Sequence, residues 1–300
     1  MTFSDLLAEE QFLMVIGAWD GISARLAEQA GARSIYVSGS CVSTAIHGGP
    51  DIGLTTMTEM ATRAGQIASV VDVPVMADAD TGYGNEFNVR RTVTEYERQG
   101  VAAIQLEDQT FPKKCGHFEG KSIIPAADFA TKVEAAVDAR DDDSFLIVAR
   151  TDAIAVEGLD VAIARAELYR EAGADILFIE APTDTDQMSR ITREVEGLLL
   201  ANMAAKGRTP PIPAADLQSI GYDLAIYPSD AFKAALQTMQ AVYEQLLTDR
   251  DQHAILDTMM EWDERDRVTG LPEFDRLESK YAEASMEYNE RINQLRDQTG

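Results

Sequence analysis

An alternation restricts the fold of this chain more than any other feature. Runs rich in aliphatic and β-branched residues recur eight times in the first 230 positions, at residues 13–18, 34–38, 74–77, 103–107, 145–149, 176–180, 198–201 and 224–227. Stretches with helical spacing of apolar residues lie between them, around residues 21–30, 57–70, 87–99, 127–139, 158–172, 185–195, 213–220 and 229–247. The strand-type runs are apolar on both faces, as parallel strands covered by helices must be. Eight such units predict an α/β fold, a (β/α)8 TIM-type barrel over residues 1–247. An open doubly wound sheet stays as the alternative, because periodicity does not report closure. Residues 248–300 lose the rhythm and are acidic and helix-prone. They predict a C-terminal helical extension whose Trp262, Leu, Met and Tyr residues need a surface, either their own barrel or a neighbouring subunit.

Polar residues gather where the predicted strands end: Ser38, Gly39 and Ser40; Asp78 and Asp80; Glu107; Arg150; Glu180; Asn202; Tyr227. In a (β/α)8 barrel these ends meet on one face, where the active site of this fold is built.

Charge narrows the partners. The 51 Asp and Glu outnumber the 26 Lys and Arg, giving a net charge of −25 on a chain that is 45% hydrophobic. That surface repels phosphate backbones and anionic lipid, so neither nucleic acid nor a membrane is an expected partner. It suits a high-salt medium, where counterions screen self-repulsion. No apolar run approaches the ~20 residues of a membrane span, and the first ten residues hold acids where an export signal would be basic, so we expect a cytoplasmic protein. The two cysteines, Cys41 and Cys115, are then expected as thiols.

Four carboxylates fall on the expected catalytic face: Asp51, Asp78, Asp80 and Glu107. Converging acids repel one another unless a cation compensates them, and oxygen donors select a hard one, Mg2+ or Mn2+. The loop after the fourth strand places Cys115 among Lys113, Lys114 and His117, a setting that lowers a thiol pKa and suits a nucleophile or general acid. Metal ligation by Cys115 and His117 is the competing reading. His47 lies near Asp51 in sequence and is a further candidate to face the site, whereas Cys41 and His253 read as structural.

Lys113, Lys114, Cys115, Gly116 and His117 together resemble the signature of the isocitrate lyase and phosphoenolpyruvate mutase superfamily, in its lyase branch. Four further motifs follow that family's order: Asp78 to Gly84, Leu106 to Gln109, Ala149 to Asp152, and Leu200 to Met203. The resemblance covers nearly the whole chain. It implies that Asp78 binds Mg2+ directly, with Asp51, Asp80 and Glu107 in the outer sphere. It implies that Ser38, Gly39 and Ser40 hold the α-keto acid carboxylate and that Arg150 clamps a substrate carboxylate. Cys115, Gly116 and His117 would lie over the succinate half, Glu180 and Asn202 would complete the pocket, and Tyr36 would set its hydroxyl near the metal.

Retro-aldol cleavage of a 2-hydroxy di- or tricarboxylate needs a base for the hydroxyl proton, a Lewis acid for the nascent carbonyl, and an acid for the carbanion. Cys115 is the expected acid, in a loop that closes over substrate; the base is left open. The ends around Phe178, Glu180, Ile226 and Pro228 resemble the family pattern for 2-methylisocitrate, giving succinate and pyruvate. Ile179 and Lys233 depart from it and leave room for isocitrate cleavage to succinate and glyoxylate or for dimethylmalate cleavage; oxaloacetate decarboxylation is a further alternative. A catalytically silent barrel acting as an assembly subunit is the non-enzymatic alternative. A homotetramer is the expected assembly.

Overall fold

The computed structural model describes residues 2–114 and 120–299. Eight parallel strands close into a barrel in sequence order: β1 Leu13–Ala18, β2 Ile35–Val37, β3 Val75–Asp78, β4 Ala103–Glu107, β5 Leu146–Thr151, β6 Ile176–Ile179, β7 Leu198–Asn202 and β8 Leu224–Tyr227. Closure is made by β1 against β8, with Leu13 opposite Leu224 and Ile16 opposite Tyr227. The barrel expectation holds and the open sheet does not.

The helices are α1 Phe3–Glu9, α2 Gly21–Gln29, α3 Gly39–His47, α4 Met57–Ala68, α5 Glu86–Arg98, α6 Ala126–Val137, α7 Ile154–Glu157, α8 Leu159–Glu171, α9 Thr185–Glu194, α10 Ala214–Ile220 and α11 Asp230–Asp249. Beyond them lie a 3-10 segment, His253–Thr258, and helices α12 Trp262–Thr269 and α13 Leu271–Thr299. Side chains of the caps start several helices by satisfying their first amides, as Asp20 does for Ser23 and Thr56 for Glu59. Three helices had no counterpart in the sequence pattern: α1, α3 and α7.

Strand pleating sorts the residues into two cores. Ile35, Val37, Ala77, Ile104, Leu106, Ile147, Leu177, Ile179, Leu199 and Ala225 are buried in the larger core with helix residues such as Met60, Val93, Phe129 and Tyr169. Leu13, Val15, Tyr36, Met76, Ala103, Val148, Phe178, Leu200 and Ile226 form the second core inside the barrel, which Phe3 and Leu6 of α1 join. The same parity carries the interior face upward into polar residues: Met76 to Asp78, Gln105 to Glu107, Val148 to Arg150, Phe178 to Glu180, and Leu200 to Asn202. Catalytic-face chemistry is therefore the continuation of the barrel's own inner layers. Gly17 is obligatory in that layer, because a Cβ there would sit 2.4 Å from the Pro228 carbonyl oxygen.

The chain divides into two compact units, residues up to Met239 and residues from Gln240 onward, so the division falls inside α11. The first unit is the barrel. In the second, Ile255 and Val268 are buried, while Trp262, Phe274, Tyr281, Tyr288 and Ile292 are exposed. Among the described residues no helix is long and apolar enough to cross a membrane.

Candidate active site

A cavity of about 330 Å3 opens at the C-terminal ends of the strands, lined among others by Tyr36, Ser38, Ser40, Asp51, Asp78, Glu107, Lys113, Arg150, Glu180, Asn202, Ile226 and Pro228. Most of the sequence-predicted site thus converges on one space. His47 ends α3 exposed and takes no part in the cavity wall, and Cys41 is buried with its Sγ 3.5 Å from the Pro228 carbonyl. Cys115, Gly116 and His117 lie outside the described residues.

Two placements differ from the sequence reading. Phe178 does not line the cavity; it lies beneath it, with the Arg150 guanidinium carbon 5.1 Å from its ring centroid. Ile179 points into the barrel–helix core, so its departure from the family pattern does not touch the site. The sequence reading also missed wall residues: Thr44, Lys206, Gly207 and Ser229, together with Lys233, which it had noted only as a departure. Strand parity finds none of them, because all lie in loops or helices.

Ser38 is the N-cap of α3 and makes no side-chain capping bond, which leaves its hydroxyl and the first amides of the helix for an anion. A Cβ on Gly39 would fall 2.5 Å from Asp78 Oδ2, so only glycine lets the helix start against that carboxylate. Asp78 is set in turn by the Asp80 amide, which donates to its Oδ1 at 3.1 Å, and by the Tyr96 hydroxyl on its carbonyl at 3.0 Å. Asp80 adopts left-handed backbone (φ 47°), which a short polar side chain tolerates.

The acids are compensated chiefly by two cations. Lys113 Nζ lies 2.8 Å from Asp51 Oδ1 and 2.8 Å from Asp80 Oδ1, all three side chains less than a tenth exposed. Burial pushes the Asp80 carboxyl up to about 7, with Asp78 and Asp51 adding to the rise and Lys113 opposing it. Burial would lower Lys113, but Asp80 and Asp51 outweigh it and hold its ammonium well above the usual lysine value. Arg150 pairs with Asp152 (Nε 2.8 Å, Nη2 3.1 Å), Glu180 (3.2 Å) and Glu107 (3.4 Å). Burial raises the Glu107 carboxyl well above its ordinary range against the pull of Arg150. Burial, reinforced by Asp78, likewise keeps the Tyr36 phenol protonated; its hydroxyl lies 3.4 Å from Gln105 Oε1. Asn202 Nδ2 donates to Glu180 at 3.1 Å.

These donors suit a hard divalent cation. Glu107 Oε1 is buried without a hydrogen-bond partner among the described residues, and the donor set is all carboxylate oxygen. Among those residues no three acids, histidines or cysteines converge as a ready-made cage. That arrangement matches an ion that keeps most of its water and takes one or two protein ligands. Lys121 adds no open positive charge to the catalytic face, because its ammonium is paired with Asp152 at 2.6 Å.

A closed (β/α)8 barrel that sets paired carboxylates, a buried arginine and a helix N-terminus around one cavity is an enzyme built for a small carboxylate substrate. The family described as phosphoenolpyruvate phosphomutase matches residues 3–247, and the chain belongs to the phosphoenolpyruvate mutase/isocitrate lyase superfamily. It is 43% identical to the 2,3-dimethylmalate lyase of Eubacterium barkeri, over 93% of this chain and 96% of that one. It is 41% identical to the 2-methylisocitrate lyase of Shewanella oneidensis, over 86% and 89% respectively. Among solved structures, a phosphonopyruvate hydrolase in complex with oxalate and Mg2+ superposes with a TM-score of 0.85 at 28% identity, over 94% of this chain and all of that one.

Proposed function

We propose that the protein cleaves the C2–C3 bond of 2-methylisocitrate, giving pyruvate and succinate. The observation that carries this reading is the joining, in one cavity, of the α3 N-terminus and Asp78 on one side with Arg150, Glu180 and Asn202 on the other. Those two ends match a substrate that carries an α-hydroxy carboxylate at one end and a succinyl unit at the other. Asp78 would hold Mg2+ directly and Asp51, Asp80 and Glu107 would hold its waters. When bound, the ion supplies Lewis acidity at the hydroxyl oxygen of the substrate.

The chain's own groups account for the rest. Ser38, Gly39 and Ser40 bind the carboxylate beside the hydroxyl through hydroxyl and amide donors. Arg150 clamps a succinyl carboxylate, with Glu180 and Asn202 fixing its surroundings. Tyr36, kept protonated, donates toward the developing carbonyl oxygen. A general base accepts the hydroxyl proton, the O–H electron pair becomes the second C2–O bond of pyruvate, and the C2–C3 bond breaks with its electron pair passing to the succinate carbon. We assign the proton that this carbon then takes to Cys115, with Gly116 and His117, its neighbours in sequence, given to the same end of the substrate by the resemblance.

Lys206 and Lys233 add two cations to the wall. They favour a tricarboxylate over a dicarboxylate such as 2,3-dimethylmalate, the substrate named for the Eubacterium relative. Ile226 and Pro228 give the methyl group an apolar wall, although one methyl is worth only ~1–3 kcal/mol, so isocitrate is expected as a slower substrate. The test is an assay with 2-methylisocitrate, isocitrate, 2,3-dimethylmalate and oxaloacetate in Mg2+. Pyruvate and succinate form fastest from the first if the reading holds; propionate and pyruvate from dimethylmalate as the dominant products would overturn it. Exhaustive EDTA treatment is expected to abolish turnover and added Mg2+ to restore it; turnover that survives EDTA would remove the metal from the reading. The exposed apolar residues of the second unit are assigned to contacts between copies in a homotetramer, measured by analytical ultracentrifugation.

A further inference from the structure

Asp152 is the least exposed acid of the site, its side chain wholly buried, and it does not line the cavity. Its carboxylate nevertheless holds two cations. Oδ2 accepts from Arg150 Nε at 2.8 Å, while Oδ1 accepts both from Arg150 Nη2 at 3.1 Å and from Lys121 Nζ at 2.6 Å. Burial would raise such a carboxyl, but Arg150 and Lys121 hold it at about 2. A second buried acid fixes Asp152 itself. Asp108 Oδ1 accepts from the Asp152 amide at 3.0 Å, and Asp108 Oδ2 accepts from Thr151 Oγ1 at 2.7 Å, Tyr169 OH at 2.8 Å and Arg165 Nη1 at 3.2 Å.

Lys121 belongs to the connection between β4 and α6. There the Thr110 amide donates to the Ser122 carbonyl at 2.9 Å and the Ile124 amide to Asp108 at 2.9 Å. The returning end of that connection is thus bonded to the end of β4, and its lysine reaches sideways into β5. Arg150 has three acidic partners, but Glu107 and Glu180 face the cavity and Asp152 does not. A bidentate partner behind the guanidinium fixes its plane, which single contacts at 3.2 and 3.4 Å cannot do.

We propose that Asp152 is a positioning residue that sets the guanidinium plane of Arg150 and pins the end of the β4–α6 connection through Lys121, so that connection and substrate clamp are held by one carboxylate. This rests on the proposed role of Arg150 as clamp, whereas the pinning of Lys121 does not.

Two measurements separate these. In native proteolysis with trypsin, the bond after Lys121 is protected in the wild type because its side chain is buried against Asp152, and cleavage after exposed Lys114 serves as the internal reference. Asp152→Asn is expected to speed cleavage after Lys121 at least tenfold relative to that reference; unchanged protection in a folded Asp152→Asn overturns the pinning whatever the enzyme's substrate. In steady-state kinetics, Asp152→Asn is expected to raise KM roughly 10- to 100-fold with a smaller change in kcat, and Lys121→Met roughly 3- to 10-fold. The double variant is expected to be no worse than Asp152→Asn alone. Effects that multiply, or a fall in kcat with KM unchanged, would overturn the positioning role. Should Asp152→Asn fail to fold, Lys121→Met decides: a raised KM with unaltered kcat supports the link, and an unaltered KM refutes it.

Discussion

Lys113→Met removes one charge at nearly constant volume, and the structure sets its cost. The ammonium is buried and holds Asp51 and Asp80 at 2.8 Å each. Deleting one partner of a buried pair costs ~3–5 kcal/mol, because the other is left uncompensated. The cost depends on pH, since Asp80 sits at about 7 with Lys113 in place. A carboxyl raised on folding makes the folded state bind more protons than the unfolded chain, so its contribution is lost as pH rises toward the folded pKa. Between the unfolded carboxyl's value of about 4 and pH 7, Asp80 is protonated in both folded proteins and they lose stability in parallel. Above 7 the wild-type group is ionised and its curve levels off, whereas the variant, lacking the ammonium, titrates higher and keeps falling. Each pH unit above 7 therefore separates them by a further ~1.4 kcal/mol until the variant's own pKa is reached. Urea unfolding in EDTA, at pH 6 and pH 8 and low salt, measures this, because urea does not screen charge. A destabilisation that is the same at both pH values, or below ~1 kcal/mol at pH 8, would refute the account of Lys113 as the counter-charge of the cluster.

Three other perturbations test separate parts of the site. Gly39→Ala would place a Cβ 2.5 Å from Asp78 Oδ2 and displace that carboxylate; kcat/KM is expected to fall ~100-fold, as ångström-scale misplacement does, with a thermal midpoint little changed. Cys115→Ala and Cys115→Ser should lower kcat ~100- to 10,000-fold while leaving urea midpoints in place, and full turnover in either would remove the thiol from the mechanism. Unfolding midpoints followed from dilute buffer to molar KCl should rise, since a net charge of −25 strains the folded chain until it is screened; insensitivity to salt would count against adaptation to a salty medium.

The elements most legible in the sequence were those with local signatures. β1, β4 and β8 fall on the predicted residues because each is an apolar run bounded by breakers or charges. Shorter strands shifted by a residue or two, as with β2, and helices frayed similarly at their ends. α3 escaped notice because Gly39 to His47 is buried on several sides at its start, with Gly39, Cys41, Val42 and Ser43 all covered, so it shows no simple polar face. That omission mattered for function: Ser38, Gly39 and Ser40 read as a strand end followed by a loop, when they are the N-terminus of a helix aimed at the cavity.

The alternation of strand and helix, the parity that carries Val148 to Arg150 and Phe178 to Glu180, and the gathering of acids at strand ends are determined by sequence alone. Period is a local property of the chain, written within each element. Tertiary structure decided which charges meet. Asp51 and Lys113 are 62 positions apart, Asp108 and Arg165 57, and Lys121 and Asp152 31. No local pattern pairs them, because the pairing depends on barrel closure bringing the ends of distant strands within a few ångströms and on burial that makes each unpaired charge costly. The sequence set Lys113 beside Cys115 as a group that lowers a thiol pKa, whereas the fold made it the counter-ion of the acidic cluster and joined Lys121 to Asp152.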